Sequence, residues 1–483
     1  MHYSDPHIHP YLPSVQSTWT RTFSKSLYSM RPNIPYGSFK SLDEFNWYDG
    51  KKPRFRHPYA LYSPGHAELD PGKAAQVDRI LYERNKDNTF LLVDSGGFQV
   101  GKGIWPLDNL VERTKRVIAW QESIADLAVI LEVPAWLERN GQPIAFDDAL
   151  ARTNDNLAVY KANASGDVKF LVPLHGKKFE DGVRWFEETR WFVEEGLAVG
   201  WCFASSFSGN LYLALKILLY MIEQEHYPAY LHFLGQGTVQ AAIIAGMMRR
   251  TVVRAYPPHI VKSRKGNPVN VTIDASSDFQ SARRFVTIYE RGVDVTGGKG
   301  QVSAFQIKSA KFDSRDRTSY PLNRTYPDVA GPILGKYDKG VKVGDLLSHP
   351  NGSVKSKNNV DEVTNAILIA HNVWVKLDTL ERMQQLESGL RRIAFGKMKA
   401  STYEFADILS RLMHSSTNKG RLSDLGEDLV ACTVGLWNVF RAFEPDLFVE
   451  DSFSHRLEKL DMFKPQAIHL FGKDVATAQR ASS

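Results

Sequence analysis

Cysteine is nearly absent from the chain: Cys202 and Cys432 are the only two in 483 residues. That scarcity excludes a disulfide framework and any structural zinc site built mainly of thiolates, and it fits a reducing compartment. Long apolar runs are missing too, none approaching the roughly 18 residues of a membrane-spanning helix. The opening "MHYSDPHIHPYLPSV" lacks the basic-then-apolar pattern of a secretory signal. The expectation is a soluble, cytoplasmic protein with no membrane partner. No G-x-G-x-x-G opens a helix, which counts against an open dinucleotide-binding sheet. Acidic residues are missing altogether from His226 to Ile273, a stretch that carries Arg249, Arg250, Arg254, Lys262, Arg264 and Lys265. Further on come Arg283 and Arg284, and the chain as a whole has a net charge of +6. A tract of that sign draws polyanions, because neutralising phosphates releases condensed counterions. The plain alternative is a solvated basic face.

Apolar residues make up 43% of the chain and aromatic ones 11%, enough for a large core. Short apolar runs recur: "FLLV" before Asp94, "LAVIL" before Glu132, "KFLVPL" before His175, "GLAVG" through Gly200, "YLHFLG" before Gln236 and "NVTI" before Asp274. Segments of helical periodicity lie between them, such as "LDNLVERTKRVIAWQESI" and "LYLALKILLYMIEQE". Strands and helices alternating at this spacing predict βαβ units around a parallel sheet. The fold expected is α/β, a (β/α)8 TIM-type barrel with an inserted basic region and added C-terminal helices. Active sites of such barrels lie at the C-terminal ends of the strands. Asp94, Glu132, His175 and Asp274 each stand where a strand hands over to its loop. One such aspartate could merely cap a helix; four polar groups at equivalent positions point to one shared site.

The motif "DSGGFQV" resembles the signature of the tRNA-guanine transglycosylases, whose barrel swaps guanine for a 7-deazaguanine. "LAVILEVP", "LVPLHG", "GLAVG", "YLHFLGQGT" and "VTIDASS" follow in the family's order, and "AILIAHNVWVKLDTLERMQQLESG" resembles its terminal helix. The likeness runs over residues 58–395. It implies Asp274 as nucleophile, Asp94 as a second catalytic carboxylate, and a base pocket of Ser95, Gly96, Gly97, Phe98, Gln99, Glu132, His175, Gly200, Leu234 and Gly235. Phe98 and Leu234 would sandwich the ring. The departures are equally specific. The family's zinc site takes three cysteines and the histidine of a His-Asn pair, but only His371 remains here, so no metal and no other cofactor is expected. Glu132 replaces an aspartate and His175 replaces an amide. "DSGGFQVGKGIW" and "VTIDASS" are closer to the branch that inserts 7-deazaguanines, such as the 7-cyano form, into DNA in bacterial modification systems and phages.

The residue types suit that chemistry. A guanine-like base offers donors at N1 and its 2-amino group and an acceptor at O6. Ionised Asp94 and Glu132 accept from the donor edge, while backbone N–H groups near Gly200 and the His175 ring could donate to O6. Gly96 and Gly97, lacking Cβ, would let the backbone approach the base. A carboxylate such as Asp274 can trap the oxocarbenium-like C1′ formed as a glycosidic bond breaks; Asp278 is a lesser alternative. The basic residues Arg249, Arg250, Lys262, Arg264, Lys265, Arg283 and Arg284 are expected to hold nucleic acid. Partners are therefore DNA, alternatively tRNA, and a free 7-deazaguanine; the oligomeric state stays open. Three other readings remain: a tRNA transglycosylase without zinc, a glycoside hydrolase pairing Glu132 with Asp274, and a non-catalytic nucleic-acid-binding relative. The expected organisation is an N-terminal extension (1–57), a barrel core (58–290), a basic insertion contacting nucleic acid (291–360), a terminal barrel helix (361–395) and a C-terminal helical region (396–483).

Overall fold

In a computed structural model of the chain, eight parallel strands close into a barrel. They are β1 (Tyr11–Val15), β2 (Tyr59–Tyr62), β3 (Phe90–Val93), β4 (Leu127–Val129), β5 (Lys169–Leu174), β6 (Ala198–Phe203), β7 (Tyr230–Phe233) and β8 (Asn270–Ala275). The structure describes residues 9–24, 41–65, 69–136, 138–139, 142–204, 211–237, 256–283, 365–378 and 380–381. It also describes the backbone of 286–292 and 306–311 and the single positions 2, 245, 249, 252 and 333. Each strand pairs with its neighbours in sequence, and β1 closes the ring against β8. This is the (β/α)8 barrel that the alternation of runs predicts.

Strands β3 to β8 fall on the six apolar runs. The N-terminal boundary is a correction: residues 1–57 do not all precede the barrel, because Tyr11 and Leu12 pair with Ile273 and Asp274 of β8, and Ser14 with Leu61 of β2. The run "YLPSV" hides its nature, since a proline inside five residues argues against an internal strand. The assigned insertion at 291–360 lies outside the described residues, except for Ile333 and part of a hairpin that pairs Val286–Gly292 with Gln306–Lys311. The C-terminal region 396–483 lies wholly outside them. Within 361–395, residues 365–378 are helical, with Ile367, Leu368 and Val373 fully buried. Among the described residues, no helix is long and apolar enough to cross a membrane.

The period of two along each strand divides the core into two layers. Leu12, Leu61, Phe90, Leu92, Leu127 and Leu171 fill the barrel's interior, while Val93, Val172, Phe203 and Ile273 pack outward under the helices. Full burial of side chains like these stabilises by roughly 1.5–3 kcal/mol each. Helix Leu110–Ile124 shows the matching period, burying Thr114, Val117, Ile118, Gln121 and Ile124. The same parity brings polar groups to the mouth. With Phe90 and Leu92 inward, the next inward position is Asp94; with Asn270 and Thr272 inward, it is Asp274.

Gly200 lies in the middle of β6, paired with Leu171 and Tyr230. A Cβ there would collide with the Tyr230 carbonyl and backbone. Gly200→Ala is therefore expected to cost about 1–3 kcal/mol through forced strand displacement, read as a lower denaturant midpoint at unchanged slope. At the opposite end of the barrel from the mouth, Trp201 Nε1 donates to His226 Nε2 (3.0 Å). Burial, then the cations Arg190 and Arg264, push His226 down to about 4. The unfolded chain binds a proton near 6.5 while the folded one does not until near 4, so acid removes stability across that window. By pH 5 the loss relative to pH 7 is about 2 kcal/mol for this group. His226→Gln keeps an acceptor for Trp201 and does not titrate, so its denaturation free energy should lose correspondingly less than the wild type's between pH 7 and 5.

Candidate active site

Asp94 leaves β3 with its carboxylate turned into the barrel mouth. Its Oδ1 accepts the Ser95 N–H (2.8 Å) and its Oδ2 the Ser63 hydroxyl (3.1 Å). Behind it Gln121 Nε2 donates to the Val129 carbonyl (2.6 Å) and more weakly to the Asp94 carbonyl (3.4 Å), while Tyr160 donates to Gln121 Oε1 (2.9 Å). This network locks the ends of β3 and β4 together. Glu132, in the loop after β4, is 4% exposed and accepts the Ser95 hydroxyl at Oε2 (2.7 Å). Its Oε1 lies 3.8 Å from Nε2 of buried His175, whose ring rests against Trp185. Burial first, then the Glu132 charge and more distantly Asp274, push the Asp94 carboxyl up to about 7, only partly offset by its Ser95 and Ser63 bonds. Two neighbouring carboxylates in a dry site do not both ionise readily.

Asp274 faces them from β8, 6% exposed. Gly235, in the turn after β7, donates its N–H to Asp274 Oδ1 (2.7 Å). His232, fully buried one inward position below Leu234, brings Nε2 within 3.3 Å of the same oxygen, and its Nδ1 meets Thr272 Oγ1 at 2.8 Å. Sequence reasoning missed His232; the inward parity of "YLHFLG" was the available signal. Asp278 is committed to partners of its own. Tyr11 donates to its Oδ2 (2.6 Å), Lys376 Nζ lies 3.5 Å from its Oδ1, and it is 3% exposed beneath the helix at 365–378.

The remaining site residues divide. Ser95, Gly96, Gly97 and Gln99 surround the mouth, but the glycines serve protein contacts. A Cβ on Gly97 would occupy the position of the Glu132 carboxylate, and one on Gly96, at φ +87°, would strike Trp105. At both positions the missing Cβ lets protein close in, Glu132 at Gly97 and Trp105 at Gly96. Phe98 is 57% exposed at the rim, and Leu234 sits at the end of β7, half-buried. Gly200 is a second correction. It lies below the mouth because β6 continues three residues beyond it, through Trp201, Cys202 and Phe203.

For Arg249, Lys262, Arg264 and Lys265 the basic tract is a third correction. Residues 264–269 lead into the start of β8, so they lie at the end of the barrel opposite the mouth. Arg264 donates to the carbonyls of Tyr227 (2.7 Å), Pro228 (3.1 Å) and Pro268 (2.5 Å), which commits its guanidinium to joining the entries of β7 and β8. Arg249 Nη2 donates to Asn267 (3.0 Å) on that same end. Lys262, in the last turn of helix Pro258–Ser263, and Lys265, just past its end, flank Arg264. Arg250 and Arg284 fall outside the described residues, and of Arg283 only the backbone is described. His371 is buried in the helix at 365–378, and among the described residues no group of three or more His, Cys, Asp or Glu side chains is placed to hold a metal ion.

Fold and site together define a (β/α)8 barrel with two buried carboxylates, Glu132 and Asp274, and the half-buried Asp94 at its mouth. No protein-family model and no curated protein matches the chain.

Proposed function

We propose that the protein exchanges guanine in DNA for a 7-deazaguanine, such as the 7-cyano base, as a zinc-free transglycosylase of the tRNA-guanine transglycosylase superfamily. One observation carries the reading. Asp94, pushed up to about 7 by burial and the Glu132 charge, shares the barrel mouth with Asp274, whose Oδ1 is held by the Gly235 N–H. A proton carrier and an oriented nucleophile are what glycosidic exchange requires.

In the proposed cycle an Asp274 oxygen bonds C1′ as the C1′–N9 bond breaks. Guanine leaves with the proton that Asp94 supplies. A 7-deazaguanine enters, gives its N9 proton to the Asp94 carboxylate, and its N9 attacks C1′ to release Asp274. One glycosidic bond replaces another, the proton returns to Asp94, and neither a cofactor nor a nucleoside triphosphate takes part. Glu132 accepts from the base's donor edge, and His175 donates to O6. A duplex must first give up its base, which costs a few kcal/mol of stacking and pairing.

The test supplies full-length protein with labelled 7-deazaguanine and either DNA or tRNA. Label entering DNA supports the reading. Label entering tRNA alone reassigns the polymer while retaining the chemistry, and label entering neither overturns the proposal.

A further inference from the structure

The described cations of the basic tract, Arg249, Lys262, Arg264 and Lys265, lie at the end of the barrel opposite the mouth. The loops after β3, β4 and β5 carry a different arrangement. Lys102 Nζ lies 6.0 Å from the centre of the exposed Phe98 ring, and Lys177 Nζ lies 5.1 Å from that of Trp136. Lys178 stands beside Lys177, and all three lysines are exposed. Among the described residues no carboxylate forms an ion pair with any of them. Asp181 instead accepts the backbone N–H groups of Lys177 (3.0 Å) and Lys178 (3.2 Å), fixing the loop.

Trp136 is held with unusual firmness for a rim residue. Its φ of 62° is left-handed, a conformation a tryptophan rarely adopts. Its N–H donates to the Ile144 carbonyl (2.8 Å), and its ring stacks on Phe146 with centroids 5.3 Å apart. Strained backbone persists only where the surroundings enforce it, and such positions gather at functional sites. Lysines interleaved with aromatic rings are the chemistry that binds unpaired nucleic acid, cations tracking the phosphates and rings meeting the bases.

We infer that a nucleic-acid strand, unpaired around the target nucleotide, crosses the mouth on the β3–β5 side. Its phosphates lie against Lys102, Lys177 and Lys178, and Phe98 is the stacking face. The inference builds on the proposed function for the identity of the extruded base, but strand binding is measurable without any turnover.

The experiment titrates a fluorescent single-stranded oligodeoxynucleotide with the full chain across a salt series. It compares wild type, the triple variant Lys102→Ala/Lys177→Ala/Lys178→Ala, and the pair Lys262→Ala/Lys265→Ala from the opposite end. The triple variant is expected to bind at least about tenfold more weakly, with the salt slope reduced by about 2, since each lost phosphate contact on a single strand removes roughly 0.7. The Lys262/Lys265 pair should bind as wild type. Loss in that pair, an unchanged slope in the triple variant, or no binding by wild type overturns the inference. Calorimetry with free guanine tests the pocket separately: base binding without strand binding sinks the surface alone, whereas rim-dependent strand binding without exchange sinks the transglycosylase reading alone.

Discussion

Asp274→Ala is expected to lower base exchange by at least about a thousandfold and to eliminate any covalent protein–DNA adduct on a denaturing gel. Losses of that order or larger follow removal of a nucleophile whose partners cannot replace it. Here they cannot. Asp278 is only four residues on, but it is bonded to Tyr11 and close to Lys376 and is nearly sealed from solvent. Glu132 is held across the mouth by Ser95. Asp274→Asn separates charge from shape: the amide oxygen can still accept the Gly235 N–H, so the fold and base binding should persist while adduct and exchange vanish. An active Asp274→Asn would remove this residue from the mechanism.

Asp94→Asn is expected to slow exchange by about 10²- to 10⁴-fold, the range for a lost general acid–base group. The proposed cycle uses its protonated form for guanine departure and its ionised form to take the N9 proton. Wild-type kcat should therefore change its pH dependence near 7, and the variant should lose that inflection. Stability moves the other way. A carboxyl raised from its ordinary range to about 7 binds a proton in the folded state that the unfolded chain has released. That contribution is complete below about pH 4 and is lost as pH rises through 7, so at pH 8 the ionised Asp94 is a burden on the fold. Asp94→Asn removes the burden and should stabilise the protein at pH 8 by an amount on the order of a few kcal/mol. Lower activity joined to higher stability is the signature of a residue kept for chemistry. Thermal melts at pH 5 and 8 check it, and a variant no more stable at pH 8 would show that Asp94 is not a strained carboxyl.

The barrel and its three carboxylates are legible in the order of residues alone. Short apolar runs ending in a polar residue can bury themselves only as inward- and outward-facing strands, and parity then delivers Asp94 and Asp274 to the mouth. His175 falls on the same inward parity as Leu171, whereas Glu132, beyond the end of β4 at Val129, was legible only as the polar residue that closes an apolar run. The rest depends on neighbours far along the chain and emerges only once the barrel closes. Strand β1 exists through its pairing with β8, about 260 residues away by the Leu12–Asp274 register. Gly97 answers to the Glu132 carboxylate and Gly200 to the Tyr230 backbone. The acid-free basic tract was plain to read, but charge counted along a chain carries no direction. The ring closure turned Arg264 toward three carbonyls at the far end of the barrel, away from the mouth.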